Sequence, residues 1–385
     1  MTAIIEPHPA GANQSSEGWD DVLLRVDNLG VSFPTEDGVV EAVRGVSYQV
    51  KRNEVFAIVG ESGCGKSVST MALMGLLPRT AQITGQAHYL DHDLINQPER
   101  KVRGFRGNNI SMIFQDPMTS LNPVYTVGRQ LAEAVLAHHR VAPKVAKERA
   151  IEMLDTVGIP QARQRANSYP HEFSGGMRQR VMIAMAIIND PEIIIADEPT
   201  TALDVTVQAQ ILDTLLEVKD AVGAAIVLIT HDLGVVAGVA DRVGVMYAGR
   251  FVEDGTAEAV FHRPRMPYTA GLLGSVPSLT SASGELIPIQ GAPPSLIQPP
   301  DGCKFAARCP LVAPECLTSE PPLVATDEAD HRAACHRWES VAAEPDVTML
   351  FSDVFADGQA VQADASDAPV EAKVSDWAPT SEDES

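Results

Sequence analysis

The chain has 385 residues, a formal net charge of -22 and a pI near 4.8. That length exceeds one typical domain of about 100–200 residues, and that charge opposes binding to the phosphates of a nucleic acid. No apolar run nears the ~18 residues of a membrane span; the longest is Val181–Ile188, and Met1–Asp21 lacks the basic start and long apolar stretch of a secretory signal. A soluble protein is expected, with any membrane role arriving through partners.

Residues 1–20 are polar, with Pro7, Pro9 and Gly11, and read as a flexible arm. From Val22 the segments VLLRV, VVEAV and VSYQV read as short strands separated by turn residues. Glu54–Gly60 (EVFAIVG) is an apolar run ending in glycine, as a buried strand entering a phosphate loop would. Helical spacing of apolar residues appears in RQLAEAVLAHHR and AKERAIEMLDTVGI, within a helical subdomain expected over about 116–177. MRQRVMIAMAIIND then reads as a buried helix, PEIIIADEP and AAIVLITHD as buried strands. This alternation predicts a mostly parallel α/β sheet. Arg242–Gly255 reads as a hairpin turning at Ala248-Gly249. Prolines and four cysteines mark a separate extension over 266–340. From 341 the text is acidic and poor in large apolar groups; Glu344–Ser385 holds eleven acidic residues against Lys373 alone. Residues 341–385 are therefore expected to be a disordered tail.

Gly60-Glu61-Ser62-Gly63-Cys64-Gly65-Lys66-Ser67 fits G-x-x-x-x-G-K-[ST] in full, with Val68 next in the following helix. Glycines let backbone donors converge on a phosphate, and the helix N-terminus adds its dipole. Lys66 would reach the β- and γ-phosphates and the Ser67 hydroxyl would ligate Mg²⁺. The Cys64 thiol is incidental, because the backbone does the binding there. Asp197 ends the apolar strand Ile193–Ala196, the place of a Mg²⁺-holding aspartate. Glu198 follows, placed to polarise an attacking water.

Phe173-Ser174-Gly175-Gly176-Met177-Arg178-Gln179-Arg180 resembles the signature of ABC ATPases, with Phe and Met in place of the usual Leu and Gln. The other motifs of that family follow in order over Val22–Gly255. Gln115 in IFQDP is similar to the Q-loop glutamine. Thr201-Ala202-Leu203-Asp204 is similar to the D-loop. His231 in LITHD is similar to the switch histidine. Phe33 in GVSF is similar to the aromatic that stacks on adenine. The resemblance implies a P-loop ABC ATPase fold over 21–265: a RecA-like α/β core with an antiparallel β part and an inserted helical subdomain. It implies MgATP hydrolysis with Glu198, His231 and Gln115 in catalytic roles. Ser174, Gly175, Gly176 and Met177 would act on the ATP of a second ATPase.

Gln115–Leu131, Tyr169–Ala186 and RPRMPYTAGLLGSVPSL narrow the resemblance to oligopeptide/dipeptide importers, and Met177 to the first of their two ATPases. Implied partners are a second ABC ATPase in a heterodimer, two membrane-spanning permease subunits and an extracytoplasmic peptide-binding protein. The implied place is the cytoplasmic face of the inner membrane, held peripherally. A nickel importer of the same branch fits these motifs too. A soluble ABC ATPase of DNA repair or translation is opposed by the acidic charge, and a non-catalytic regulatory subunit by the intact Glu198 and His231.

Cys303, Cys309, Cys316 and Cys335 are spaced C-x5-C-x6-C-x18-C, so the sequence predicts a metal site, and spacing alone does not choose the metal. His331 and His336 leave a mixed Cys/His zinc site open. Resemblance to the C-terminal part of peptide-importer ATPases implies a [4Fe-4S] cluster, with Zn²⁺ as the alternative.

Overall fold

Two sheets carry residues 21–200, 205–275 and 288–351, the parts of the chain described by a computed structural model. The first is antiparallel, in the order β2-β1-β4-β5, from β1 (Val22–Thr35), β2 (Gly38–Lys51), β4 (Gln82–Tyr89) and β5 (His92–Asp93). VVEAV and VSYQV, expected as separate strands, are halves of the 14-residue β2. Gly45 between them takes φ +77°, and register shifts in the β1–β2 ladder absorb the irregularity without breaking the strand.

The second sheet runs β11-β12-β10-β9-β3-β8-β7-β6. Its parallel part comprises β9 (Arg242–Tyr247), β3 (Val55–Val59), β8 (Ala225–Thr230), β7 (Ile193–Asp197) and β6 (Ile110–Ile113). Every residue of β3, β7 and β8 is buried, as expected where both faces are covered. Side chains alternate between two cores. Ala57, Ile194, Ala196 and Leu228 face a core built with the helices, while Phe56, Ile58, Ile193 and Ile195 face one shared with the antiparallel sheet. The strand β10 (Arg250–Thr256) returns antiparallel to β9. Ala248 and Gly249 both have positive φ, as a two-residue hairpin turn requires.

Helices Val127–His138, Pro143–Thr156 and Gly175–Ile187 pack together between β6 and β7 in the chain. The extension is not the separate unit expected. Its strands β11 (Val324–Ala325) and β12 (Arg332–Ala333) prolong the second sheet beyond β10, and Tyr268, Phe305 and Ala334 join the helix-side core. The tail does not begin at 341 either. Val341 and Phe351 are buried, and the Phe351 ring packs beside Gly271 and Phe305. Sequence composition gave no sign of this, because two apolar anchors suffice to dock a mostly polar segment. No described helix is long and apolar enough to cross a membrane.

Candidate nucleotide site

The site forms along one edge of the parallel strands. The chain leaves β3 at Val59, and Gly60–Ser67 curls into the helix Lys66–Leu73. Gly60, Gly63 and Gly65 hold φ of +154°, +78° and +103°. At Gly60 and Gly65 a Cβ would collide with the backbone carbonyls of Met246 and Ala42, so these positions admit no side chain. Lys66 is buried, and its ammonium donates to the carbonyls of Gly60 (2.8 Å) and Glu61 (3.1 Å). The Cys64 thiol is buried and pushed up by desolvation, so it is held neutral.

Three neighbouring strands deliver the remaining groups. Asp197 ends β7 and accepts from the Ser67 hydroxyl at 2.8 Å. Burial raises its carboxyl to about 6, against the Ser67 hydrogen bond, and the Glu198 charge raises it further. Glu198 follows at φ +45°, a strained conformation for a non-glycine residue, fixed by its N–H donating to Ile229 O. Gln115, two residues beyond β6, donates Nε2 to Glu198 Oε2 at 2.9 Å. His231, immediately beyond β8, places Nδ1 3.2 Å from Glu198 Oε1. Parallel pairing sets the ends of β6, β7 and β8 side by side, so residues 83 and 33 positions apart in sequence meet on one carboxylate. Such an arrangement can hold a hydroxyl–carboxylate pair for a divalent cation beside a carboxylate able to orient water.

Ser174 caps the helix Gly175–Ile187, its Oγ accepting from Met177 N–H at 3.4 Å. Ser174 and Gly175 are exposed, so this helix N-terminus faces outward rather than toward the Lys66 loop's own core. Buried Phe173 anchors the turn behind it. Val207 leaves no room for a Cβ at Gly176. Phe33 on β1 and Val68 in the helix after the loop are half-buried against the core between the sheets. Asp204 lies outside the described residues, as do Thr201, Ala202 and Leu203.

The chain matches the model "ABC transporter" over residues 43–201, and the model "Oligopeptide/dipeptide transporter, C-terminal region" over 252–316. The dipeptide transport ATP-binding protein DppD of Bacillus subtilis is 57% identical over 290 residues, 75% of this chain and 87% of that protein. The chain belongs to the oligopeptide/dipeptide transport ATP-binding proteins of the ABC family. The oligopeptide transport ATP-binding protein OppD of Mycobacterium tuberculosis is 56% identical over 323 residues, 83% of this chain and 52% of that protein. The chain thus spans about half the length of this mycobacterial relative. A dimeric structure of the ATP-binding cassette MJ0796, in a post-hydrolysis state bound to ADP and Pi, aligns with TM-score 0.55 and 25% identity over 61% of this chain and 98% of that one.

The cysteine extension of this ABC protein departs from the sequence expectation. The thiols do share a neighbourhood: Cys303 N–H donates to Cys316 O at 2.7 Å, and Cys303, Cys309 and Cys335 border the same core. Burial pushes the Cys309 and Cys335 thiols up to about 12. Yet among the described residues no group of three or more His, Cys, Asp or Glu side chains is arranged to hold a metal ion. Cys303, Cys309 and Cys335 instead pack against the helix-side core, and the Arg337 N–H donates to Cys335 Sγ. His331 and His336 turn elsewhere, to Glu253 and to Ser319.

Sequence reasoning missed the extension's hold on the phosphate loop. Tyr268 Oη accepts from Glu61 N–H at 2.9 Å, and Arg308 grips the Glu61 carboxylate with both terminal nitrogens, at 2.7 and 2.8 Å. No spacing motif links positions 61, 268 and 308. The isolated arginine before Cys309 is the one local signal.

Proposed function

We propose that this chain binds and hydrolyses MgATP as one of two ATPases energising an importer of oligopeptides or dipeptides. The observation that carries this is the meeting of Gln115, Glu198 and His231 on one carboxylate beside the Ser67–Asp197 pair and Lys66. In this reading Lys66 and the loop glycines hold the β- and γ-phosphates. Ser67 and Asp197 hold Mg²⁺, Gln115 and His231 fix the Glu198 carboxylate, and Glu198 takes the proton of the attacking water. Phe33 stacks on adenine. The helix start Ser174–Met177, exposed at Ser174 and Gly175, and Asp204 act on the nucleotide of a second ATPase. That pairing is supported by the outward helix N-terminus and by the dimeric form of MJ0796. Residues 21–265 carry this chemistry and 266–351 form the appended part.

The peptide substrate is supported by the names of the relatives, oligopeptide and dipeptide transport ATP-binding proteins, and by the match at 252–316. Two permease subunits, a peptide-binding protein outside the membrane and a place on its cytoplasmic face follow from the same reading. Reconstitution tests it: the chain, a second ATPase and both permeases in vesicles should hydrolyse MgATP faster when peptide-loaded binding protein is added outside. Absence of hydrolysis would refute the ATPase reading, and stimulation by nickel instead of peptide the substrate. A [4Fe-4S] cluster at Cys303, Cys309, Cys316 and Cys335, or Zn²⁺ in its place, is supported by the sequence resemblance and the shared neighbourhood of the thiols, not by ligand geometry. Iron, sulfide and zinc content of anaerobically purified protein, compared with Cys309→Ser and Cys64→Ser, tests that reading.

A further inference from the structure

Glu61 is the second residue of a loop whose ligand is a polyanion, and an acid there opposes that ligand by its charge. Three contacts control it. Its N–H donates to Tyr268 Oη, its carbonyl accepts from Lys66 Nζ, and its carboxylate meets the Arg308 guanidinium face to face. The Arg308 side chain is 5% exposed and that of Glu61 25%, so water screens the pair only partly. Arg308 is itself held by the carbonyl of Gln290 (2.9 Å) and the hydroxyl of Tyr247 (3.3 Å). It sits in the short turn Ala306–Arg308 between Cys303 and Cys309. A cation rooted in the C-terminal extension therefore neutralises an acid of the phosphate loop 247 positions earlier in the chain.

We infer that Arg308 is a positioning residue through which the C-terminal extension sets the charge of the phosphate loop, and with it the loop's affinity for nucleotide. The inference rests on the nucleotide-binding reading above. Without the Arg308 charge, the Glu61 carboxylate stands uncompensated beside Lys66 and repels phosphate. Without the Glu61 charge, the guanidinium stands uncompensated and attracts phosphate. The two losses act in opposite directions, which a merely structural tie would not produce: breaking such a tie from either side would loosen the loop alike.

The test measures ATP binding, KM and kcat for the full 385-residue chain, for Arg308→Gln, for Glu61→Gln and for the double variant. Arg308→Gln should weaken ATP binding about tenfold, within the span usual for coupled sites, with KM moving more than kcat. Glu61→Gln should tighten binding about threefold, and the double variant should lie between the two. These differences should shrink in high salt. Both single variants weakening binding, or a folded Arg308→Gln that binds as the unaltered chain does, would overturn the inference. If Arg308→Gln does not fold, the Glu61→Gln arm decides alone: tighter binding supports the inference, weaker or equal binding overturns it. An unaltered chain that fails to bind ATP would instead refute the nucleotide reading.

Discussion

Replacing Glu198 by glutamine separates the chemistry of this carboxylate from its structural part. Its two oxygens meet Gln115 Nε2 at 2.9 Å and His231 Nδ1 at 3.2 Å. An amide of the same shape keeps an oxygen toward Gln115 and turns an N–H₂ toward His231, whose ring proton can reside on Nε2. The structural cost is then at most one hydrogen bond, about 1 kcal/mol. The chemical cost is larger, because an amide is no base at neutral pH. A positioned general base contributes about 10²–10⁴-fold, or about 3–5 kcal/mol of barrier. Glu198→Gln should therefore lower the hydrolysis rate at least about 100-fold while ATP binding and thermal stability stay close to those of the unaltered chain. The assay is single-turnover hydrolysis in the assembled ATPase pair, with the partner's own site disabled so that its turnover does not mask the loss. A rate within fivefold of the unaltered chain would remove Glu198 from the base role. An equal fall in ATP binding would show that the carboxylate shapes the pocket instead.

Asp197, raised to about 6 by burial, should set a lower pH limit. A proton and Mg²⁺ compete for it, so the Mg²⁺ needed for half-maximal hydrolysis should rise about tenfold per unit below pH 6 and stay flat above pH 7; a flat profile down to pH 5 would refute this. The sign for stability is opposite: a carboxyl raised above its unfolded value disfavours the fold once ionised, so metal-free thermal stability should fall as pH rises from about 4 to about 6, and a rise there would refute it. Phe351→Ala should cost about 3 kcal/mol and lower the melting temperature by roughly 6–12 °C, because the ring is buried against Gly271 and Phe305. An unchanged melting curve would show that residues 341–351 do not stabilise the body.

The residues proposed to bear the chemistry stand out in the sequence because each sits in a local motif with its own physical cause. The glycines around Lys66 are dictated by a backbone path that excludes Cβ atoms at Gly60 and Gly65, and Asp197-Glu198 and His231 are marked by the apolar strands at whose ends they lie. The α/β alternation and the hairpin at Ala248-Gly249 were legible for the same reason: burial periodicity and positive φ are local properties. The long-range contacts were decided only by tertiary structure. Parallel pairing of β6, β7 and β8 brings Gln115 and His231 to opposite oxygens of Glu198, a register no short segment encodes. Composition misread the end of the chain, because docking depends on where Val341 and Phe351 land rather than on average polarity. Cysteine spacing likewise says nothing of packing, and only the fold sets Cys303, Cys309 and Cys335 against the helix-side core. The grip of Arg308 on Glu61 follows no spacing pattern in the sequence. A salt bridge between distant positions has no periodicity, and only the folding of the extension onto β9 and β10 brings its charges together.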